Sequence, residues 1–162
     1  MKFTKSLIKG KLIKRYKRFF ADIKLNKKMV TAHCPNTGSM MGLLNINNDV
    51  WISKSNNSKR KLKFTLEIIK AKSNLVGVNT HFANKIVHDG LLNDLFNEFK
   101  KCDSIKPEFF FNKETRFDFL IEKKNQKIFI EVKNVTLFRM KKIAEFPDAI
   151  TSRGTKHLKT LI

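Results

Sequence analysis

Cysteine, tryptophan, tyrosine and acidic side chains are all scarce in this 162-residue chain: it has two Cys, one Trp, one Tyr and 14 Asp plus Glu, against 34 Lys plus Arg. Cys34 and Cys102 lie far apart and belong to no CxxC or Cys/His cluster. That spacing argues against a structural zinc site and against a disulfide scaffold, leaving two packed thiols with no disulfide partner. No run approaches eighteen uncharged residues, and lysines interrupt the opening MKFTKSLIKGKLIKRYK, so neither a membrane span nor a signal peptide is expected and a cytoplasmic location is. Gly-rich phosphate loops, G-x-S-x-G and H-E-x-x-H are missing, which removes the usual serine-hydrolase and zinc-protease readings. No internal repeat is visible either.

What the chain has in excess is positive charge, and the excess is uneven. The net charge is +20, and residues 1–80 carry 18 Lys/Arg against 3 Asp/Glu while residues 81–162 carry 16 against 11. A surface of this kind neutralises phosphates and gives sequence-independent, salt-sensitive affinity for nucleic acid. By charge alone, a structural RNA-binding protein of ribosomal character is a further reading.

The first half reads as strands and loops. Residues 12–23, LIKRYKRFFADI, alternate in strand fashion, with Lys14, Tyr16, Arg18 and Phe20 on one face and Arg15, Lys17 and Phe19 on the other. Residues 29–34 form a second expected strand, followed by the turn-rich PNTG (35–38). Val50–Lys54 and Leu62–Lys70 flank a basic tip containing Lys59, Arg60 and Lys61 and read as a hairpin. Short strands with interleaved basic and aromatic groups suit a small barrel of the OB type, whose face and loops hold single strands by stacking and charge. Phe19 and Phe20 are assigned to the core.

The second half changes character near residues 72–82. Apolar residues recur at 83, 86, 87, 91, 92, 95, 96 and 99, the stripe of an amphipathic helix spanning Ala83 to Lys100 with Gly90 as its weak point. A strand at 105–111 follows, opened by Glu108, and then RFDFLIE (116–122) and KIFIEVK (127–133) alternate around the polar KKNQ. A symmetric turn of two or four residues gives one register, in which paired positions sum to 249. Phe119 then meets Ile130, Ile121 meets Ile128 and Phe117 meets Val132 on one apolar face, and Asp118 meets Glu131 on the other, with Lys133 two residues along. Two carboxylates about 5 Å apart repel by about 3 kcal/mol at an effective dielectric near 20. A Mg²⁺ ion would remove that cost, because it takes hard oxygen ligands from one or two carboxylates and keeps waters. Asp89 and Glu108 are the candidates for a third carboxylate. The alternative for the hairpin is a solvated face of alternating charge.

Asp followed by Glu-x-Lys on the adjacent strand resembles the PD-(D/E)XK nuclease-like superfamily, in which the carboxylates hold Mg²⁺ and the lysine positions water or stabilises phosphate charge. AHCPNTGSM (32–40), VNTHFAN (78–84), IEVKNVTL (130–137) and FPDAITSRGTKHL (146–158), together with LIKRYKRFFAD (12–22), resemble the sugar fermentation stimulation protein A family over essentially the whole chain. The resemblance implies an α+β protein with an OB-like barrel over 1–78 and a PD-(D/E)XK nuclease-like α/β domain over 79–162. It also implies DNA binding without marked sequence preference, and a link to regulation of sugar, especially maltose, metabolism through either a hydrolytic or a non-catalytic DNA-binding protein. Carried over residue by residue, it makes Asp118, Glu131 and Lys133 catalytic, and Asp118, Glu131 and Glu108 the metal set. Phosphate contacts are expected from Arg15, Lys17, Arg18, Lys59, Arg60 and Lys61. Asn36 and Thr37 in the PNTG turn can offer amides to a phosphate. Arg153, Lys156 and His157 share a face of an expected last helix from about Ala149, whose start is Pro147–Asp148. Family members continue beyond the KHL segment, so a sheet element and helices of the second domain are expected to be missing from this chain.

Overall fold

The computed structural model describes residues 6–137 and, outside that range, residues 3, 139, 143, 145 and 155. The expected last helix, with Pro147, Asp148, Arg153, Lys156 and His157, lies outside the described residues.

Within residues 6–137 the elements follow in the order β1 (Ile8–Tyr16), β2 (Phe20–Leu25), β3 (Lys28–His33), β4 (Asp49–Lys54), β5 (Phe64–Ala71), β6 (Asn74–Gly77), α1 (Ala83–Leu92), β7 (Ser104–Phe110), β8 (Arg116–Lys123) and β9 (Gln126–Ile130). They belong to two compact units, one holding the described residues up to His81 together with Asn134–Leu137, the other holding Phe82–Lys133. The chain directly after Lys133 returns to the first unit. There Asn134 Nδ2 donates to the Gly77 carbonyl (3.3 Å), and Leu137 is buried and bridges to Glu145.

The first unit is a closed five-stranded barrel. β1 pairs antiparallel with β2 and β4, β2 with β3, and β4 with β5, and a short parallel pairing of β3 with β5 completes the ring; β6 adds as a hairpin partner of β5. This is the OB arrangement. Its interior is Leu12, Ala21, Ile23, Ala32, Val50, Ile52, Leu66 and Ile69, all fully buried, as inward positions of alternating strands should be. Gly10 is required for closure. A Cβ there would stand 2.6 Å from Ile23 Cγ2 and 2.9 Å from the Lys24 carbonyl oxygen, so β1 could not approach β2.

Residues 12–23 are not one strand. Lys17 and Arg18, at φ 47° and 60°, turn the chain between β1 and β2, and Tyr16 pairs directly with Phe20. The left-handed conformation is taken without Gly or Asn, so no turn signal marked it. A bulge at Ile13 shifts the register. Lys14 and Tyr16 therefore face outward with their partners Asp22 and Phe20, and Arg15 falls on the inward row with Ala21 and Ala32.

In the second unit β7, β8 and β9 form an antiparallel sheet. The β8–β9 ladder runs from Phe119↔Ile130 to Lys123↔Gln126, every pair summing to 249 as the alternation predicts. Its turn is Lys124–Asn125 with φ 48° and 64°, the left-handed pair that matches strand twist in a two-residue hairpin. Phe119, Ile121 and Leu91 form the buried centre of this unit, with Val87, Phe96, Ile128 and Ile130 around it. Phe117 departs from that face: it is buried, but its ring packs against Phe129 (5.2 Å, planes tilted by 43°), within an aromatic group that includes Phe109 and Phe111.

Helix α1 ends at Leu92, eight residues earlier than the apolar stripe predicts. Leu95 N–H bonds back to the Gly90 carbonyl (2.9 Å), and the Phe96 ring folds over Gly90, where a Cβ would be 2.7 Å from the ring. The apolar residues after Leu92 therefore cover the helix instead of extending it. Glu108 sits inside β7, not at its start. Replacing Gly10 by Ala should lower the barrel's stability by about 1–3 kcal/mol, read as a lower denaturant midpoint from the fluorescence of the single tryptophan, Trp51.

Candidate functional site

The β8–β9 ladder stops at Phe119↔Ile130 for a reason that concerns Asp118. The next inward amide, Val132 N–H, donates to Asp118 Oδ2 (2.7 Å), so a side-chain carboxylate replaces the main-chain acceptor and the strand ends there. Asn84 Nδ2, from the first turn of α1, donates to Asp118 Oδ1 (2.7 Å). Helix and sheet thus fix the carboxylate from two directions. Each oxygen has accepted one such bond and a carboxylate oxygen has capacity for two, so further ligands can be taken on both. Glu131 lies on the segment that Asp118 holds, its side chain 16% exposed, and Lys133 Nζ is 2.8 Å from Glu131 Oε1.

Asp118 also lines a cavity of about 160 Å³ with Asn84, Lys85, His88, Pro107, Glu108 and Phe119. The His88 ring stacks on Phe119 at 5.6 Å. Asn84, Lys85 and His88 were not singled out by sequence reasoning. Only the VNTHFAN motif pointed to Asn84, because a lone amide in an amphipathic stripe carries no pattern. Glu108 lines the cavity, but its carboxylate pairs with Arg116 at 2.8 Å. Its backbone is left-handed at φ 53°, a conformation that costs an L-residue about 1–2 kcal/mol. Among the described residues no three His, Cys, Asp or Glu side chains converge where a metal could bind, so the three-carboxylate set of Asp118, Glu131 and Glu108 is not assembled. Asp89 is not among the cavity's lining residues.

The barrel residues predicted to grip phosphate divide into two groups. Arg15 and Asn36 serve the fold. Arg15 Nη2 donates to the carbonyls of Arg18, Asn36 and Gly38 (3.1, 2.9 and 2.9 Å), and Asn36, 7% exposed, accepts the Gly38 N–H at Oδ1 (2.9 Å). An inward strand position at the barrel's end makes Arg15 a loop clamp. Lys17, Arg18, Thr37, Lys59 and Lys61 are exposed and Arg60 is half-buried. Phe19, expected in the core, is 48% exposed, and Phe20 stacks on Tyr16 at 5.4 Å on the outer face. Phe19 belongs to the turn between β1 and β2 and has no strand facing, and Phe20, opposite Tyr16, shares the outward facing of Lys14 and Tyr16.

His33 ends β3 beside this face. Burial, then the Arg60 guanidinium and the His81 ring, hold its imidazole below the usual value of 6.5. The unfolded chain therefore takes up this proton first, so the stability His33 supports is present above about pH 6.5 and is lost as the pH falls toward the folded value. Between pH 7.5 and 5.5 the Trp51-monitored midpoint should drop for the native sequence, and the drop should be smaller in His33→Gln.

Family comparison agrees with this architecture at both ends. The model described as "Sugar fermentation stimulation protein RE domain" matches residues 81–162, and the "SfsA N-terminal OB domain" matches residues 13–78. The "Sugar fermentation stimulation protein homolog" of Pelagibacter ubique is 72% identical over 162 residues, covering 100% of this chain and 70% of that protein. Its counterpart in Maricaulis maris is 44% identical over 163 residues, with 99% and 69% covered. Among solved structures, Pyrococcus furiosus SfsA in complex with Ca²⁺ superposes with a TM-score of 0.83 at 23% identity, over 99% of this chain and 68% of that one. The chain thus spans about 70% of the length of such relatives. With the barrel, the three-stranded sheet and both family models in agreement, the chain belongs to the sugar fermentation stimulation protein family.

Proposed function

We propose that the protein binds DNA with little sequence preference and that Asp118, Glu131 and Lys133 form a divalent-cation-dependent phosphodiesterase site. The observation that carries the catalytic part is the Asp118 carboxylate, held by Asn84 and the Val132 amide with acceptor capacity to spare, the Val132 amide following Glu131 directly in the chain. Two carboxylates fit Mg²⁺, which binds through one or two of them and fills its other positions with water. The relative of like fold was solved with Ca²⁺, another hard cation that prefers oxygen ligands, and this supports the assignment.

A bound divalent ion would supply positive charge to the phosphate oxygens and acidify a water. Asp118 and Glu131 orient that region of the site. Lys133, whose ammonium already reaches Glu131 Oε1 at 2.8 Å, is placed to donate a hydrogen bond to the attacking water and to offset charge on the phosphate. In the hydrolysis the water oxygen bonds to phosphorus, the bond to the leaving sugar oxygen breaks, and that oxygen takes up a proton. The positive charge of the first unit supplies general affinity for the DNA backbone.

A second reading, a non-catalytic DNA-binding regulator of sugar metabolism genes, is favoured by one feature: Glu108 is paired with Arg116 and completes no three-ligand group among the described residues. It predicts salt-sensitive binding with no cleavage under Mg²⁺ or Mn²⁺.

Two measurements test the catalytic reading. Plasmid nicking should require Mg²⁺ and should fall strongly in Lys133→Ala; equal nicking by both proteins removes the assignment. In calorimetry, Asn84→Ala should weaken Mg²⁺ binding about 10–100-fold, since Asp118 loses one of its two orienting donors, and unchanged affinity would count against Asp118 as a ligand.

A further inference from the structure

The outer surface of the barrel carries features that a phosphodiesterase site in the other unit does not use. Across β1, β2 and β3, Tyr16 pairs with Phe20 and Phe20 with His33, so three flat side chains lie in one row on the outward face. Tyr16 and Phe20 are stacked at 5.4 Å with their planes 21° apart. In the neighbouring row Lys14 Nζ lies 5.1 Å from the centre of the Tyr16 ring. Asp22, the one acid of these rows, accepts from Thr31 (2.8 Å) and Tyr16 (3.3 Å) and pairs with Lys14 (3.6 Å), so its charge is offset and the phenol is fixed in place.

Two loops border the row. The β1–β2 loop presents Lys17, Arg18 and Phe19, all exposed, on a backbone with two consecutive left-handed non-glycine residues. Strained conformations of this kind persist where surrounding structure enforces them, and here Arg15 does so by binding the Arg18 carbonyl, while the Phe19 carbonyl accepts Cys34 N–H (2.7 Å). The β4–β5 loop presents Lys59, Arg60 and Lys61. His33 pairs with Thr65 at the start of β5, directly after this loop, so the row and the loop adjoin.

We propose that this row and these two loops form a platform for single-stranded DNA, with bases stacking on Tyr16, Phe20 and Phe19 and phosphates held by Lys17, Arg18, Lys59 and Arg60. Aromatic faces accept any base, and flanking cations track the backbone, so such a surface binds without reading sequence. A duplex keeps its bases stacked on one another and offers these rings nothing. The inference rests on the DNA-binding reading above and adds strand form and location to it. It does not depend on the Asp118 site.

The test uses the whole chain, without divalent cation, and fluorescence anisotropy of a dT12 oligonucleotide and of a 12-base-pair duplex. The single strand should bind more tightly. Tyr16→Ala and Phe19→Ala should each weaken it about 5- to 100-fold, with little effect on the duplex, and Tyr16→Phe should retain affinity because the ring remains. Arg60→Ala should weaken both and reduce the salt slope by about one. Trp51-monitored unfolding of each variant shows that the barrel is intact. Tighter binding of duplex, or single-strand affinity unmoved in both Tyr16→Ala and Phe19→Ala with the barrel folded, overturns the platform while leaving DNA binding in place. Binding of neither oligonucleotide overturns both.

Discussion

One carboxylate joins helix to sheet in the second unit. Asp118 takes the amide of Asn84 on α1 and the main-chain N–H of Val132 past the end of β9, and so closes three segments on a single side chain. The geometry around it is unusual throughout: a ladder that stops early, a glutamate at positive φ on the opposing strand, and a histidine stacked on the next phenylalanine. An apolar residue at position 118 would leave two donors in need of partners. The hydrogen-bonding requirement and the chemical capacity thus fall on the same group.

The barrel depends on a comparable economy of polar groups. Arg15 donates from Nη2 to three carbonyls, Asn36 turns the chain through its own side chain, and Thr80 donates to the Pro35 carbonyl at 3.1 Å. AHCPNTGSM and the first residues of VNTHFAN, Val78 to His81, are therefore brought together on the barrel unit, and several are structural. Glu67, 4% exposed, accepts from Ser53 (2.6 Å) and Asn79 (2.7 Å), which ties the strand core to the start of the second motif.

Much of this was legible in the residues, and the exceptions have physical causes. The β8–β9 register could be read because Phe119, Ile121, Ile128 and Ile130 alternate strictly and only one pairing buries them all. The barrel strands β3, β4 and β5 were legible for the same reason. The β1–β2 turn was not, because Lys17 and Arg18 adopt left-handed backbone without the residues that normally announce it, and the alternation of LIKRYKRFFADI runs straight through. The end of α1 was hidden because Leu95, Phe96 and Phe99 keep helical spacing while packing back on the helix. At the site, the acid and lysine types were readable from spacing. Asn84 was not, because its role exists only once 34 residues of chain have brought it to Asp118, and the diversion of Glu108 to Arg116 is likewise a tertiary event.

The acids of the first 80 residues, Asp22, Asp49 and Glu67, are all already committed: Asp22 to Lys14, Asp49 to Lys9 and Lys11, Glu67 to Ser53 and Asn79. With 3 acids against 18 Lys/Arg in residues 1–80, the folded barrel carries an excess of positive charge that repels itself. Added electrolyte should then act in opposite senses on one molecule, screening the lysines from one another and firming the fold, while loosening any polyanion it holds.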